Sequence, residues 1–124
     1  MNWIQNELTI GGQDVDNIIE HITAQRKNKP IVDFWVTGYR FRNAKVDENT
    51  IKFESATDAV TEIISELAWQ YPKNEFAYSW KALNGSEYSG NAHYKDGKLV
   101  DSYMIDNYVA TFTFAPKKQK TEEM

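Results

Sequence analysis

Two histidines, His21 and His93, are the side chains best suited to proton transfer near neutral pH. His21 precedes the apolar Ile22, and His93 lies between Ala92 and Tyr94 in a segment that alternates like a strand. No H-x-H or H-E-x-x-H spacing accompanies either residue, so we predict neither a catalytic histidine nor a metal site. His93 shares its predicted strand face with polar neighbours and remains a candidate for contacting a polar ligand.

Other chemistry-bearing motifs are absent from the sequence. It has no cysteine, which excludes disulfides, thiolate zinc sites and cysteine nucleophiles. It contains no G-x-S-x-G, no P-loop and no G-x-G-x-x-G, and the Gly11-Gly12 pair before the first predicted helix is typical of a turn. We therefore expect a protein that is not an enzyme and needs no cofactor or metal.

Acidic side chains recur along the two predicted helices, and they are the candidate residues for binding a protein. They are Asp16 and Glu20 in the first helix and Asp58, Glu62 and Glu66 in the second. The second group follows an i, i+4, i+8 spacing without a basic partner, which destabilises a helix by a few tenths of a kcal/mol per pair, roughly. Two interpretations stay open: a solvated face that aids solubility, or an acidic surface that docks on a basic, nucleic-acid-binding protein.

Aromatic side chains concentrate on the strands of the second half. The candidate face comprises Tyr78, Trp80, Tyr88, His93 and Tyr94. Because helices cover only one face of a two-layer sandwich, the face of Tyr78, Trp80, Tyr88 and Tyr94 either lies beneath the helices or forms an uncovered platform. Such a platform stacks single-stranded bases, with phosphate contacts available from Arg40, Arg42, Lys45 and Lys81. Core burial, self-association as a homodimer and single-strand binding are the alternatives.

Hydrophobic periodicity predicts the elements that carry these residues. One helix runs from Gln13 or Asp14 to Pro30, and another from a cap at Ser55, Thr57 or Asp58 to Pro72. Turns are predicted at Asn84-Gly85 and Asp96-Gly97. Strands are predicted at 3–10, at 31–46 with a break near Gly38, and at 50–54, 74–83, 88–94, 99–105 and 108–114.

The predicted order is β-α-β-β-α-β followed by further antiparallel strands. This is the order of a ferredoxin-like two-layer α+β sandwich with both helices on one sheet face. A chain of 124 residues has room for one compact domain. We place that domain at residues 1–115 and a flexible charged tail at 116–124.

Short segments of the chain carry a family resemblance. They are Asn2-Trp3 with Asn6–Gly11, Ile51–Ala56, Tyr71-Pro72 with Phe76–Tyr78, and Tyr88–Ala92 with Tyr94–Gly97. Together they resemble the YubB or Api92-like family of ferredoxin-like phage and plasmid proteins, over roughly residues 2–101. The resemblance implies the fold and a mobile-element setting, and it implies no activity. Where that family often has a Trp-Ser-Pro-Pro-like loop, this chain has Thr57-Asp58-Ala59.

Composition sets the remaining expectations. The net charge of −4 argues against a phosphate-coating protein, and the apolar runs are too short for a membrane span or a signal peptide. We expect a cytoplasmic, non-enzymatic accessory protein of a phage or plasmid in its bacterial host. Its acidic helix face would contact a host or phage protein, as in an inhibitor of a host defence or nucleic-acid-handling protein. The alternative is a single-stranded nucleic-acid-binding module that uses the aromatic strands.

Overall fold

The structure is a computed structural model and describes residues 2–34 and 39–105. Within these ranges, strands alternate with two helices. The elements are β1 Trp3–Gly11, α1 Val15–Ile22, β2 Thr23–Arg26, β3 Lys29–Val32, β4 Phe41–Asp47, β5 Thr50–Ala56, α2 Thr61–Gln70, β6 Glu75–Ala82, β7 Ser89–Lys95 and β8 Lys98–Ile105. The predicted strand at 108–114, the predicted tail at 116–124 and the break near Gly38 lie outside the described residues.

The described strands form a six-stranded antiparallel sheet in the order β4-β5-β1-β6-β7-β8, and β2 and β3 form a separate hairpin. The part β4-β5-β1-β6 has the order of a ferredoxin-like sheet, with the first strand of the chain in its interior. Strands β7 and β8 then continue the sheet on the β6 side. The predicted ferredoxin-like α+β fold is confirmed.

The first helix is shorter than the sequence predicts. Its apolar face ends at Ile22, and the next four residues form β2, which pairs with β3 through a Lys27-Asn28 turn. Both turn residues have positive φ angles, 53° and 65°, as a two-residue type I′ turn requires. Arg26, Lys27 and Lys29, which would suit the C-terminal end of a longer helix, therefore lie at this hairpin. Pro30 belongs to β3, a strand of a two-stranded ribbon, where proline is tolerated.

The second helix begins later than predicted. Its N-cap position is Val60, without a side-chain cap, so Asp58 lies in the preceding turn and not on the helix. Ser55, one of the predicted caps, is a buried residue of β5. Its Oγ donates a hydrogen bond to the Asp58 carbonyl oxygen at 2.7 Å and thereby stabilises the turn. Ser55 is five residues before the N-cap position, so its hydroxyl stabilises the turn and does not cap the helix.

The two predicted turns of the second half differ in outcome. Asp96-Gly97 joins β7 to β8 with φ angles of 55° and 78°, so the predicted tight turn is confirmed. Asn84-Gly85 does not form a two-residue hairpin turn. The connection spans residues 83–88, because Asn84 Oδ1 accepts a hydrogen bond from the Ser86 N–H and the Ala82 N–H bonds to the Tyr88 carbonyl.

The core lies between the helices and one sheet face. Alternate residues of each central strand point into it, as the period of a half-buried strand requires. Both helices bury their apolar stripe there, Ile18, Ile19 and Ile22 from α1 and Ile63, Ile64, Leu67 and Ala68 from α2. We call the opposite face of the sheet the open face.

A buried polar network connects the centre of the sheet to the start of α2. The Asn6 side chain, fully buried on β1, donates from Nδ2 to Ser55 Oγ at 2.9 Å and to the Ile4 and Phe53 carbonyls. Its Oδ1 accepts a hydrogen bond from the Tyr78 hydroxyl. The same hydroxyl accepts one from the Val60 N–H at 2.9 Å. Two side chains thus join β1, β5 and β6 to the first turn of α2.

Replacing Tyr78 by Phe tests this network. The substitution leaves Asn6 Oδ1 and the Val60 N–H without a partner in the core, so we expect a loss of about 1–3 kcal/mol in the free energy of unfolding. Urea unfolding measures it. Tyr94→Phe is the matched control, because Tyr94 is also buried while its hydroxyl has no hydrogen-bond partner within residues 2–34 and 39–105. Equal losses in the two variants would contradict the network.

Candidate functional site

The outer surface of α2 brings two of the predicted acidic residues together. Glu62 and Glu66 are exposed and one helical turn apart, while the opposite side of the helix is held in the core. Trp69, which the sequence analysis did not single out, lies one turn further along and is 70% exposed. We call Glu62, Glu66 and Trp69 the α2 face.

A groove runs beside the α2 face. Its volume is about 660 Å³, and its lining comprises Thr61, Glu62, Ser65, Glu66, Trp69, Tyr94 and Gly97. Tyr94 comes from β7 and Gly97 from the turn after it, so the groove separates α2 from the outer strands. Burial raises the pKa of Tyr94 above the ordinary tyrosine value of 10.0, at which the hydroxyl is already protonated at neutral pH. The groove therefore combines carboxylates, hydroxyl groups and an indole.

The carboxylates of this groove have no ionic partner in the described part of the chain. The ion pairs there join Arg42 to Glu54, Lys52 to Glu7 and His93 to Glu75. None of them includes a residue of α2. The face therefore presents its negative charge to solvent.

The other predicted acidic residues lie outside the α2 face. Asp16 and Glu20 are exposed on α1, and Asp58 is exposed in the turn before α2. His21 Nδ1 on α1 is 2.7 Å from the hydroxyl of Tyr71, the residue that follows α2. The predicted continuous i, i+4, i+8 stripe is thus reduced to Glu62 and Glu66, since helix α2 starts after Asp58.

The predicted aromatic platform is not what the structure shows. Tyr78, Trp80 and Tyr94 point towards the helices and are buried, and Tyr78 stacks on Trp80 with ring centroids 5.3 Å apart. Tyr88 is half-buried, and its hydroxyl accepts a hydrogen bond from the Ala59 N–H at 3.4 Å. The sequence analysis allowed either face of the sheet for these residues, and they lie on the face that the helices cover. Strand β8 extends the sheet and does not fold over it.

The predicted basic residues lie elsewhere. Arg42 is on the open face, where its guanidinium stacks 3.8 Å from the Trp3 ring centroid and its Nε donates to Glu54 at 2.7 Å. Arg40 is exposed just before β4. His93 is also on the open face, with its Nε2 3.1 Å from Glu75 Oε1. The arginines and the buried aromatic residues therefore do not share a surface.

The acidity of Glu54 reflects its contacts with Asn43 and Arg42, and we call these three residues the Glu54 cluster. Partial burial by itself raises the pKa of the carboxyl, but hydrogen bonds from Asn43 and Arg42, together with the Arg42 charge, outweigh it. The pKa of Glu54 consequently lies below its ordinary value. The ionised carboxylate is the form that the fold stabilises.

Two kinds of feature, a metal-binding cluster and a membrane-spanning helix, are absent from residues 2–34 and 39–105. They contain no cluster of histidine, aspartate and glutamate side chains that could hold a metal ion. Among them, no helix has the length and apolar character needed to cross a membrane.

Residues 35–123 match the family described as a ferredoxin-like domain in Api92-like protein. The chain belongs to this family. The match begins after β3, although the central strand β1 and helix α1 of the same sandwich precede it. Comparison with curated proteins and with solved structures gave no match. For this member of the Api92-like family, the function has to be inferred from the surface itself.

The pH dependence of stability tests the Glu54 cluster. Because the pKa is lowered in the folded state, its contribution is present above the ordinary value of 4.5 and is lost as the pH falls through the folded value. We expect Glu54→Gln to lower the free energy of unfolding by up to about 1 kcal/mol near pH 7. The difference from wild type should shrink when urea unfolding is repeated in acid.

Glu7→Gln is the control, because the Lys52 ammonium is 4.0 Å from the Glu7 carboxylate and both side chains are about half exposed. We expect this variant to change stability by less than about 0.5 kcal/mol. A Glu54→Gln deficit that stays constant or grows on acidification would contradict the assignment.

Proposed function

We propose that this protein is a non-enzymatic accessory binding protein of a mobile genetic element that acts in the bacterial cytoplasm. It uses the α2 face to bind a basic surface of a host protein, of the kind that handles nucleic acid or serves in defence. The observation that carries the proposal is the combination of two carboxylates that have no ionic partner within residues 2–34 and 39–105 with a 70% exposed tryptophan along one groove.

The placement of the charges supports an electrostatic partner. Glu62 and Glu66 repel each other at i, i+4, which costs a few tenths of a kcal/mol, roughly, without a compensating pair on the helix. Proteins that bind nucleic acid expose lysine and arginine to contact phosphates. An acidic surface complementary to such a patch attracts it from solution and speeds association.

Trp69 supports a contact with more than charge. Tryptophan is enriched among the residues that dominate binding energy in protein interfaces. Beside carboxylates, an indole also attracts a lysine or arginine side chain through its ring face. The groove next to Trp69 is therefore suited to a basic side chain that projects from a partner's surface.

The setting in a phage or plasmid rests on the family and on the resemblance described above. The single-strand-binding alternative has less support. The aromatic side chains that would stack bases are in the core, and the groove that is accessible carries carboxylates, which repel phosphate.

Charge reversal tests the proposal. We expect Glu62→Lys/Glu66→Lys to leave folding nearly unchanged, because both side chains are exposed, and to abolish capture of the partner from host lysate. The control is Glu7→Lys/Asp101→Lys, which makes the same change in net charge at exposed residues of the open face. This control should still capture the partner. The wild-type protein should also capture it from lysate treated with nuclease.

Trp69→Ala separates the contribution of the indole to binding from that of the two carboxylates. It should weaken binding mainly through faster dissociation, whereas the charge reversal should mainly slow association and make binding less sensitive to salt. Surface plasmon resonance with the captured partner measures both rates. If both charge-reversed proteins lose the partner equally, or neither does, the α2 face is a solvated helix surface.

A further inference from the structure

The tip of the β2–β3 hairpin carries a high density of positive charge. Arg26, Lys27 and Lys29 fall within four consecutive residues, and all three are exposed. The hairpin, residues 23–32, contains no acidic and no aromatic side chain. We call Arg26, Lys27 and Lys29 the basic tip, and its composition is suited to an anionic ligand that is bound by charge.

The backbone holds these three cations close together. Arg26 pairs directly with Lys29 across the ribbon, so their side chains project from the same side. Like charges placed opposite each other destabilise a strand pair. Lys27 lies in the turn between them with a φ of 53°, a backbone conformation that residues other than glycine, asparagine and aspartate rarely adopt. The basic tip therefore costs stability, and that cost favours a functional role over a structural one.

Other basic side chains share this end of the domain. Strand β3 packs beside β4, which is an end strand of the six-stranded sheet. Arg40 is exposed just before β4 and Lys45 is exposed on it, where Lys45 pairs with Lys52 of β5 and so forms a second like-charge pair. Residues 23–32 and 39–46 hold six of the 14 basic residues of the chain and none of its 18 acidic ones. This end is strongly basic, although the whole chain has a net charge of −4.

The α2 face lies at the other end of the sheet. Helix α2 packs against β6, β7 and β8, whereas the hairpin packs beside β4. Five strand spacings of about 4.8 Å separate β4 from β8, which amounts to roughly 24 Å. The charge of the domain is therefore polarised, and a polyanion would attract the basic tip and repel the α2 face.

We propose that the basic tip binds double-stranded DNA through its phosphate groups. This inference goes beyond the proposed function and does not depend on it, because a DNA-bound hairpin leaves the α2 face available to a protein. Duplex DNA carries one negative charge per ~1.7 Å of its axis, so several phosphates lie within reach of three adjacent cations. Arg26 is able to contact a phosphate with two hydrogen bonds, while the lysines act as point charges.

The composition and shape of the hairpin favour a DNA duplex over a single strand or an RNA duplex. Proteins that bind single strands combine basic residues with aromatic side chains that stack on the bases, and residues 23–32 have no aromatic side chain. A ribbon with strands about 4.8 Å apart fits the major groove of B-DNA, which is about 12 Å wide. The major groove of an RNA duplex is deep and narrow. Because phosphate contacts carry no sequence information, we expect binding without sequence preference.

The salt dependence of binding tests the proposal. Each phosphate that the protein neutralises contributes about −0.9 to the slope of log K against log salt concentration. Arg26→Gln/Lys29→Gln removes two such contacts, so its slope should be smaller in magnitude than that of the wild type by about 1.8. Between about 50 and 200 mM salt, the wild-type protein should therefore lose about twelvefold more affinity than the variant. Fluorescence anisotropy with a labelled duplex of about 20 base pairs measures both slopes.

The matched control is Lys95→Gln/Lys98→Gln. These lysines are also paired across a two-residue turn, and their replacement makes the same change in net charge. Their turn contains Asp96, and Gly97 lines the groove beside the α2 face, so phosphate is repelled there. We expect this variant to bind the duplex within about twofold of the wild type and with the same slope, because exposed charges beyond a Debye length are screened.

Several results would overturn the proposal. Equal slopes for the wild type and Arg26→Gln/Lys29→Gln would do so, as would an equal loss in both double variants. Equally tight binding to a single strand of the same length would contradict the duplex assignment. Sedimentation velocity of the free protein tests another occupant: if the hairpin substitutions dissociate an oligomer, the basic tip contacts the α2 face of a second copy and not DNA.

Chemical-shift mapping on the unmodified chain provides a check that needs no substitution. The largest amide changes on addition of the duplex should occur at residues 25–29. Largest changes elsewhere would contradict the proposal even if the hairpin variants fail to fold.

The two proposals fail in different assays. Glu62→Lys/Glu66→Lys should bind the duplex at least as tightly as the wild type, because the substitutions remove negative charge. Failure of the proposed function would appear in the capture of a host protein alone. Failure of the present inference would appear in duplex binding alone.

Discussion

The Asn6 side-chain amide is the constraint on which the arrangement of this domain depends. It lies fully buried in the central strand β1, and each of its polar atoms has a partner on another element. A buried amide is costly unless it is fully hydrogen-bonded. The fold therefore has to bring Ser55, Tyr78 and, through the Tyr78 hydroxyl, the Val60 N–H to it. Burial raises the pKa of Tyr78, so this hydroxyl stays protonated and can donate to Asn6 while it accepts from Val60.

This network fixes the start of α2, and the start of α2 fixes its exposed surface. Once Val60 is tied to Tyr78, the apolar stripe of the helix turns into the core and Glu62, Glu66 and Trp69 turn outward. The open face of the sheet has a different character, since its carboxylates at Glu54, Glu7 and Glu75 have basic or histidine partners. Glu62 and Glu66 on the helix side have no ionic partner among the described residues, in contrast to these three carboxylates. That asymmetry favours the helix side as the surface for a basic partner.

Much of the fold could be predicted from the sequence because the period of two is clear in the central strands. The buried stripe of α2 is equally clear in the sequence. The same apolar spacing places Trp69 on the outer side of the helix, so its exposure could have been predicted. The end of α1 could not be read from local composition, since Arg26 and Lys29 suit a helix end as well as a hairpin. Which sheet face holds Tyr78 and Trp80 depends on where the helices pack. The contact of Arg42 with Trp3 depends on strand pairing across the chain.

The most direct test of the central claim maps where a basic ligand contacts the protein. Titration with a decalysine peptide, followed by amide and indole chemical shifts, needs no knowledge of the natural partner. The account predicts that the largest changes occur at Thr61–Trp69, at Tyr94 and Gly97 and at the Trp69 indole, and that they diminish as salt is raised. Largest changes at Asp16 and Glu20 on α1, or changes spread evenly over both faces of the sheet, would contradict it.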